Sequence, residues 1–207
     1  VLAAVLAAAL LASPVTVRDS LTHYVVQQDA EGAARLCRSA RTTDERLLCR
    51  YRLYPMTQDA ALLRDLPADD AVTSARGLAL LGGLWGMRAA TAPIHRVPTY
   101  GRRSERLVAA ALARDASEPY ALLVRGQSLY YKPRAFGGDV VEARRTFERL
   151  RGVLGRTPVP GLHPFEPEVW VWMCVRRTNA AEGARMQRAL LARRPPPLYR
   201  QFLTDPP

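Results

Sequence analysis

The stretch from Glu118 to Leu154, EPYALLVRGQSLYYKPRAFGGDVVEARRTFERLRGVL, constrains the fold more than any other part of this chain. Leu122, Leu123, Gly126, Leu129 and Tyr130 fall on one face of a helix. Glu118 places an acid at the positive end of that helix, and Pro119 comes next, where a missing N–H costs nothing. Pro133 stops it. Val140, Ala143, Phe147, Leu150 and Leu154 then recur at spacings of three and four, the pattern of a second amphipathic helix. Asp139 stands where its N-cap belongs, and Gly137 and Gly138 allow a tight turn before it. The small residues Gly126 and Ala143 let the two backbones approach closely. Neither helix can bury its stripe alone, so the hairpin demands neighbours on both sides.

The same reading extends along the chain. A first helix is predicted from Asp19 or Ser20 to about Arg38. A second starts after Thr43 with Asp44 as its cap, and Pro55 ends or kinks it. A shorter helix is predicted over Thr57–Leu66. The third, about Asp70 to Ala92, is the most apolar; its Gly82 and Gly86 form a GxxxG that marks close packing within a bundle, since the uncharged run is too short to span a bilayer. The fourth runs from about Arg102 to Asp115. The opening hairpin supplies the fifth and sixth. The seventh covers Glu168–Thr178, the eighth Ala181–Arg194, and Leu198–Leu203 docks as a cap. Comparable points near Gly82, Gly126 and Met173 recur at a period in the forties. No segment alternates like a strand. The expected fold is all-α, a right-handed solenoid of about four antiparallel helix hairpins with extended inter-helix loops, forming one domain over 16–207.

Residues 1–15 read differently. VLAAVLAAALLASP is an uncharged apolar run like the h-region of a secretory signal peptide, with Ala7 and Ala9 as an A-x-A-like cleavage site. No basic n-region is seen before it, and the competing expectations are an uncleaved N-terminal anchor extended by residues ahead of Val1 and a plain buried helix. With a signal or an anchor the chain is expected to be periplasmic or otherwise exported, or held on the inner membrane by this segment. Export bears on the cysteines. Cys37 and Cys49 flank the polar segment Ser39–Glu45 symmetrically, so a helix–turn–helix there puts them at similar height on facing helices. An oxidising compartment permits a disulfide; two small buried hydrophobes are the other reading. Cys174, within an apolar run, reads as core.

The formal net charge is +11, and the cations are arginine apart from Lys132. That skew fits a GC-rich coding sequence, and it also fits an anionic partner. The arginines are spread along the chain, which describes a solvated basic surface rather than a dedicated nucleic-acid patch.

Catalysis needs convergent groups, and the motifs that supply them are missing. His23, His95 and His163 lie outside any HxxxH or HExxH spacing. No CxxC or Cys/His spacing suggests a metal site, and no GxSxG or Walker-type GKS or GKT occurs. The chain is therefore expected to be no enzyme and to use no metal and no cofactor. Gly137–Gly138–Asp139 resembles a helix N-terminal anion site, but the aspartate would repel an anion, so Pro133, Phe136, Gly137, Gly138 and Asp139 read as a structural loop motif. Glu166 and Glu168 read as the opening of a helix rather than as an acid/base pair. The binding candidates are Tyr130, Tyr131, Arg134, Trp85 and Trp172, aromatic and basic residues placed to edge a groove. Adjacent residues on a helix diverge by about 100°, so one tyrosine of the pair can face the core and the other a groove.

At Gly126, Ala143 and Phe147 the pattern resembles the tetratricopeptide repeat with a longer inter-helix loop. The fragment ALLVRGQSLYYKPRAFGGDVVEARRTFERL is similar to a divergent group of exported bacterial repeat proteins that carry a P…FGGD…A…F segment, here Pro133, Phe136, Gly137, Gly138, Asp139, Ala143 and Phe147. The resemblance covers about Gly77 to Leu154, and the TRAP-transporter-associated tetratricopeptide proteins are a distant relative. It implies a periplasmic, non-enzymatic role in holding a protein partner or a small acidic ligand. The alternative expectation is a basic repeat protein that binds nucleic acid or an anionic cell-envelope polymer.

Overall fold

A computed structural model describes residues 17–206. The proposed signal or anchor over 1–15 lies outside them. The described residues form α1 (Val17–Gln27), α2 (Ala30–Cys37), α3 (Thr43–Thr57), α4 (Ala75–Ala90), α5 (Val97–Arg114), α6 (Pro119–Tyr131), α7 (Val140–Leu154), α8 (Phe165–Thr178), α9 (Ala180–Ala192) and α10 (Pro197–Thr204). Among them there is no strand, only an isolated bridge between Val159 and Leu162. The all-helical expectation holds. No described helix is long and apolar enough to cross a membrane.

Helix α4 packs on α5, α6 on α7 and α8 on α9, with further contacts of α3 and α6 on α4 and of α7 on α8. Their stripes bury against one another in one continuous core, where Leu80, Leu81, Leu122, Leu123, Phe147, Leu150 and Met173 are fully enclosed. Close approach explains the glycines. A Cβ on Gly82 would stand 2.9 Å from Val108 and 3.1 Å from the Ser104 carbonyl, so α4 can lie on α5 only with glycine there. The Ser104 hydroxyl donates to the Gly82 carbonyl at 2.7 Å across the same contact. The GxxxG is thus a helix–helix contact inside the chain. Gly126 plays the corresponding part in α6, where a Cβ would stand 2.5 Å from the Phe147 ring of α7.

The N-terminal third departs from the sequence expectation. The predicted first helix is two. Gln28 adopts a left-handed backbone, φ 59°, and Asp29 then caps α2 by accepting from the Gly32 N–H at 2.7 Å. The cap of α3 is Thr42, not Asp44: Thr42 and Glu45 close a reciprocal capping box, while Asp44 accepts from the Ser74 hydroxyl at the start of α4. The expected helix over Thr57–Leu66 is a single 3-10 turn, Ala60–Leu63. At the other end α10 forms the expected cap on α8 and α9, and it also returns to pack on α1. Helix α5 begins at Val97, earlier than predicted, because Pro98 sits in its first turn.

Candidate functional site

The α6–α7 elbow is built by its loop sequence. Asp139 accepts from the Val141 and Glu142 N–H groups at 2.9 and 3.0 Å, starting α7, and donates its own N–H to the Leu129 carbonyl at 2.9 Å. Gly137 takes φ 88°, and a Cβ on Gly138 would overlap the Lys132 carbonyl. Pro133, Gly137, Gly138 and Asp139 therefore fix the turn and leave its outer side chains standing free. Phe136 is 75% exposed, Tyr131 56% and Val141 55%. Arg134 is exposed beside them.

The two tyrosines divide as their helical geometry requires. Tyr130 is buried, and Arg177 donates to its carbonyl at 2.8 Å while lying 5.2 Å over its ring. Tyr131 stands outward, edge-on to both Tyr130 and Trp170. Trp170 stacks on Phe147 at 5.3 Å and meets Phe202 of α10, so the exposed tyrosine rests on a rigid aromatic base.

The other candidate aromatics lie elsewhere. Trp172 is 2% exposed, and its indole N–H donates to the Gly183 carbonyl at 3.0 Å. It offers no face to a ligand, because α9 covers it. Trp85 is also buried, under a layer of arginine: Arg103 lies 4.1 Å from its ring centroid and Arg88 4.9 Å. Arg103 is held there by Asp69, which accepts from its Nε at 2.9 Å and Nη2 at 2.7 Å. The Trp85 indole N–H has no partner among the described residues. Arg88 bridges from Trp85 to Tyr100, and Arg96, hydrogen-bonded to the phenol, holds the Tyr100 hydroxyl below its ordinary value with Arg88 assisting. A cleft of about 220 Å³ opens here, lined by Arg64, Arg88, Arg96 and Tyr100 and by no acidic side chain among the described residues.

Some features escaped the sequence reading. Arg52 and Glu166 form a buried bidentate pair, with Nη1–Oε1 3.0 Å and Nη2–Oε2 2.9 Å. The Arg52 guanidinium also lies over the Tyr51 and Tyr120 rings. Burial alone would lower its pKa, but Glu166 and the two phenols more than offset that and raise it. Burial pushes Tyr120 up to about 12, and its hydroxyl donates to the Pro160 carbonyl at 2.6 Å. These groups face one another and join α3, α6 and α8, while the buried Arg52 Nε has no hydrogen-bond partner among the described residues. Glu168 pairs with Arg193, which separates it from Glu166 in role. The cysteines, by contrast, follow the sequence: Cys37 and Cys49 are joined in a disulfide, one of the two readings left open for them, and Cys174 is buried as expected, its thiol pushed up to about 12. No group of three or more metal-ligating side chains occurs among the described residues. The structure also contains a larger cavity beside the disulfide, which no local motif announces because its walls come from three separated segments.

Comparison with protein-family models, with curated proteins and with solved structures finds no match to this chain.

Proposed function

We propose that this chain is an exported helical-repeat scaffold that docks a protein partner on the α6–α7 elbow. One observation carries the reading. Of the four large hydrophobic side chains exposed among the described residues, three, Tyr131, Phe136 and Val141, fall on this elbow. Clustered exposed apolar side chains on a rigid base mark interaction surfaces, whereas scattered ones do not. Arg134 beside them forms no ion pair among the described residues, and its charge favours a partner with an acidic rim. In this reading the hairpins α4–α5, α6–α7 and α8–α9 are tetratricopeptide-like repeats of a right-handed solenoid. Their packing in chain order and the matching glycines at 82 and 126 support it. The Cys37–Cys49 disulfide supports export, because such bonds persist in oxidising compartments. The role assigned is binding, without catalysis or cofactor.

The test is site-specific photo-crosslinking in the native envelope, with the probe at Phe136 and, as a control, at the exposed Arg188 of α9. A discrete partner is expected at 136 only, lost when Tyr131 and Val141 are changed to serine. Identical products from both positions would overturn the reading, and a homodimer band would replace the partner with a second copy.

The cleft lined by Arg64, Arg88 and Arg96 favours a second reading, binding of nucleic acid or an anionic envelope polymer, or of a small acidic ligand. A polyanion affinity that falls steeply with salt, and is lost in Arg64→Glu/Arg96→Glu, would support it. Salt-independent or undetectable binding would remove it.

A further inference from the structure

A cavity of about 600 Å³ lies between α2, α3 and the segment from Leu62 to Pro67. That volume is in the range of small-molecule sites. Leu47, Leu53 and Leu62 line it together with the Cys37–Cys49 disulfide, so much of its wall is apolar. Three cations, Arg38, Arg46 and Arg50, face it, against the single acid Asp65.

The charge of these arginines is not neutralised at contact distance. Among the described residues no carboxylate forms an ion pair with any of the three. Arg46 donates to the Arg41 carbonyl at 2.6 Å and to the Thr43 hydroxyl at 3.2 Å. Arg50 donates to three carbonyls, those of Leu62 at 3.0 Å, Asp65 at 3.3 Å and Arg64. It thereby pins the far wall of the cavity with neutral acceptors, and its partial burial lowers its pKa, with Asp65 opposing. Arg38 is exposed, and its guanidinium makes no hydrogen bond or ion pair among the described residues. A planar fork of this kind matches a carboxylate in two-point contact.

We propose that this cavity binds a long-chain carboxylate, its alkyl chain against Leu47, Leu53, Leu62 and the disulfide, and its head group on Arg38 and Arg46. The site is separate from the α6–α7 elbow, and its occupation does not depend on a protein partner. The apolar wall selects the chain, and the uncompensated guanidinium groups select its charge. The disulfide ties α2 to α3 and so holds two walls of the cavity in register.

Calorimetric titration of the oxidised full chain tests this, with sodium dodecanoate below its micellar concentration, dodecyltrimethylammonium, dodecyl phosphate and acetate as probes. Dodecanoate is expected to bind one to one, at least tenfold more tightly than the cationic amphiphile, and acetate is expected to be silent. Arg38→Glu/Arg46→Glu is expected to weaken dodecanoate at least tenfold. Arg125→Glu/Arg188→Glu, with the same change in net charge on exposed positions of α6 and α9, is expected to leave it unchanged. Circular dichroism melting of both variants verifies that the fold survives. A photoreactive dodecanoate analogue is expected to label peptides containing Leu47, Leu53 or Leu62. Equal affinity for the cationic amphiphile, labelling elsewhere, or indifference to Arg38→Glu/Arg46→Glu would overturn the proposal. Tighter binding of dodecyl phosphate would also overturn it, in favour of a lipid phosphate head group.

Discussion

Arg52 and Glu166 are 114 residues apart in sequence and meet in a bidentate ion pair whose side chains are each only 9% exposed. The pair ties the N-terminal helices to the last third of the chain, with the Tyr199 hydroxyl of α10 donating to the same carboxylate at 3.4 Å. Removing one partner leaves the other charge buried and unpaired, which costs about 3–5 kcal/mol in comparable sites. Arg52→Met and Glu166→Met are each expected to lower stability on that scale. The double variant Arg52→Met/Glu166→Met is expected to be more stable than either single one, because no charge is then stranded. Urea denaturation of the three variants decides it: additive losses would show that the two side chains do not act as a unit.

The disulfide has its own signature. Cys37 and Cys49 close a short loop, 12 residues in separation, and chain-entropy reasoning gives about 3 kcal/mol for a loop of that order. Cys37→Ala/Cys49→Ala is expected to lose about that much. Thiol titration of the unreduced, denatured protein purified from the envelope is expected to find one thiol per chain, that of Cys174. Three thiols would show that the bond does not form where the protein resides.

Of these two linkages, the disulfide is one of the readings the cysteine spacing left open, while the Arg52–Glu166 pair marks the limit of what the residues disclose. The α6–α7 elbow is legible because its rules are local: Pro133 ends a helix, glycine takes a positive φ, and Asp139 caps α7. The split of Tyr130 and Tyr131 comes from helical geometry alone. The break between α1 and α2 is harder to see, since Gln28 carries no preference for the left-handed region and only Asp29, ahead of Glu31 and Gly32, hints at a new cap. Nothing near Arg52 or Glu166 names the other. Arg52 sits between apolar neighbours in α3, and Glu166 resembles a helix opener because an acid in a first turn ordinarily is one. Trp172 reads as a binding residue in the sequence because only tertiary packing lays α9 over it. The cavity walls are likewise brought together by tertiary packing, which no spacing encodes.

Glu118 makes stability depend on pH in an unusual direction. Its carboxyl caps α6, accepting from the Ala121 N–H at 2.7 Å, and meets Arg76 at 3.3 Å. Burial nevertheless raises its pKa, outweighing the downward pull of the Ala121 N–H and Arg76. The folded chain therefore holds this proton more tightly than the unfolded chain does. The stability it contributes is fully present below the ordinary glutamate range and is lost as pH rises through the raised value. Glu118→Gln removes the titration. Between pH 4 and pH 7 the wild type is expected to lose stability relative to this variant, read as the difference in urea midpoints. A constant difference, or one of opposite sign, would refute the burial argument.

Three glycine-to-alanine substitutions separate packing from backbone freedom. Gly101 lies inside α5, with no atom within 4 Å of the point a Cβ would occupy and no positive φ, so alanine there removes only unfolded-state freedom. Gly101→Ala is expected to gain roughly 0.5–1 kcal/mol. Gly137 sits at φ 88°, where a Cβ costs roughly 1–2 kcal/mol even though the space around it is open. Gly138 has an ordinary φ, but its Cβ would overlap the Lys132 carbonyl, and backbone cannot give way as a flexible side chain does. Gly138→Ala is therefore expected to cost at least as much as Gly137→Ala, and to displace the elbow as well. Thermal melts give the ranking, and partner crosslinking at Phe136 reads the displacement. A Gly138→Ala protein with wild-type stability would mean that the turn closes in some other way than through the contact of Gly138 with Lys132.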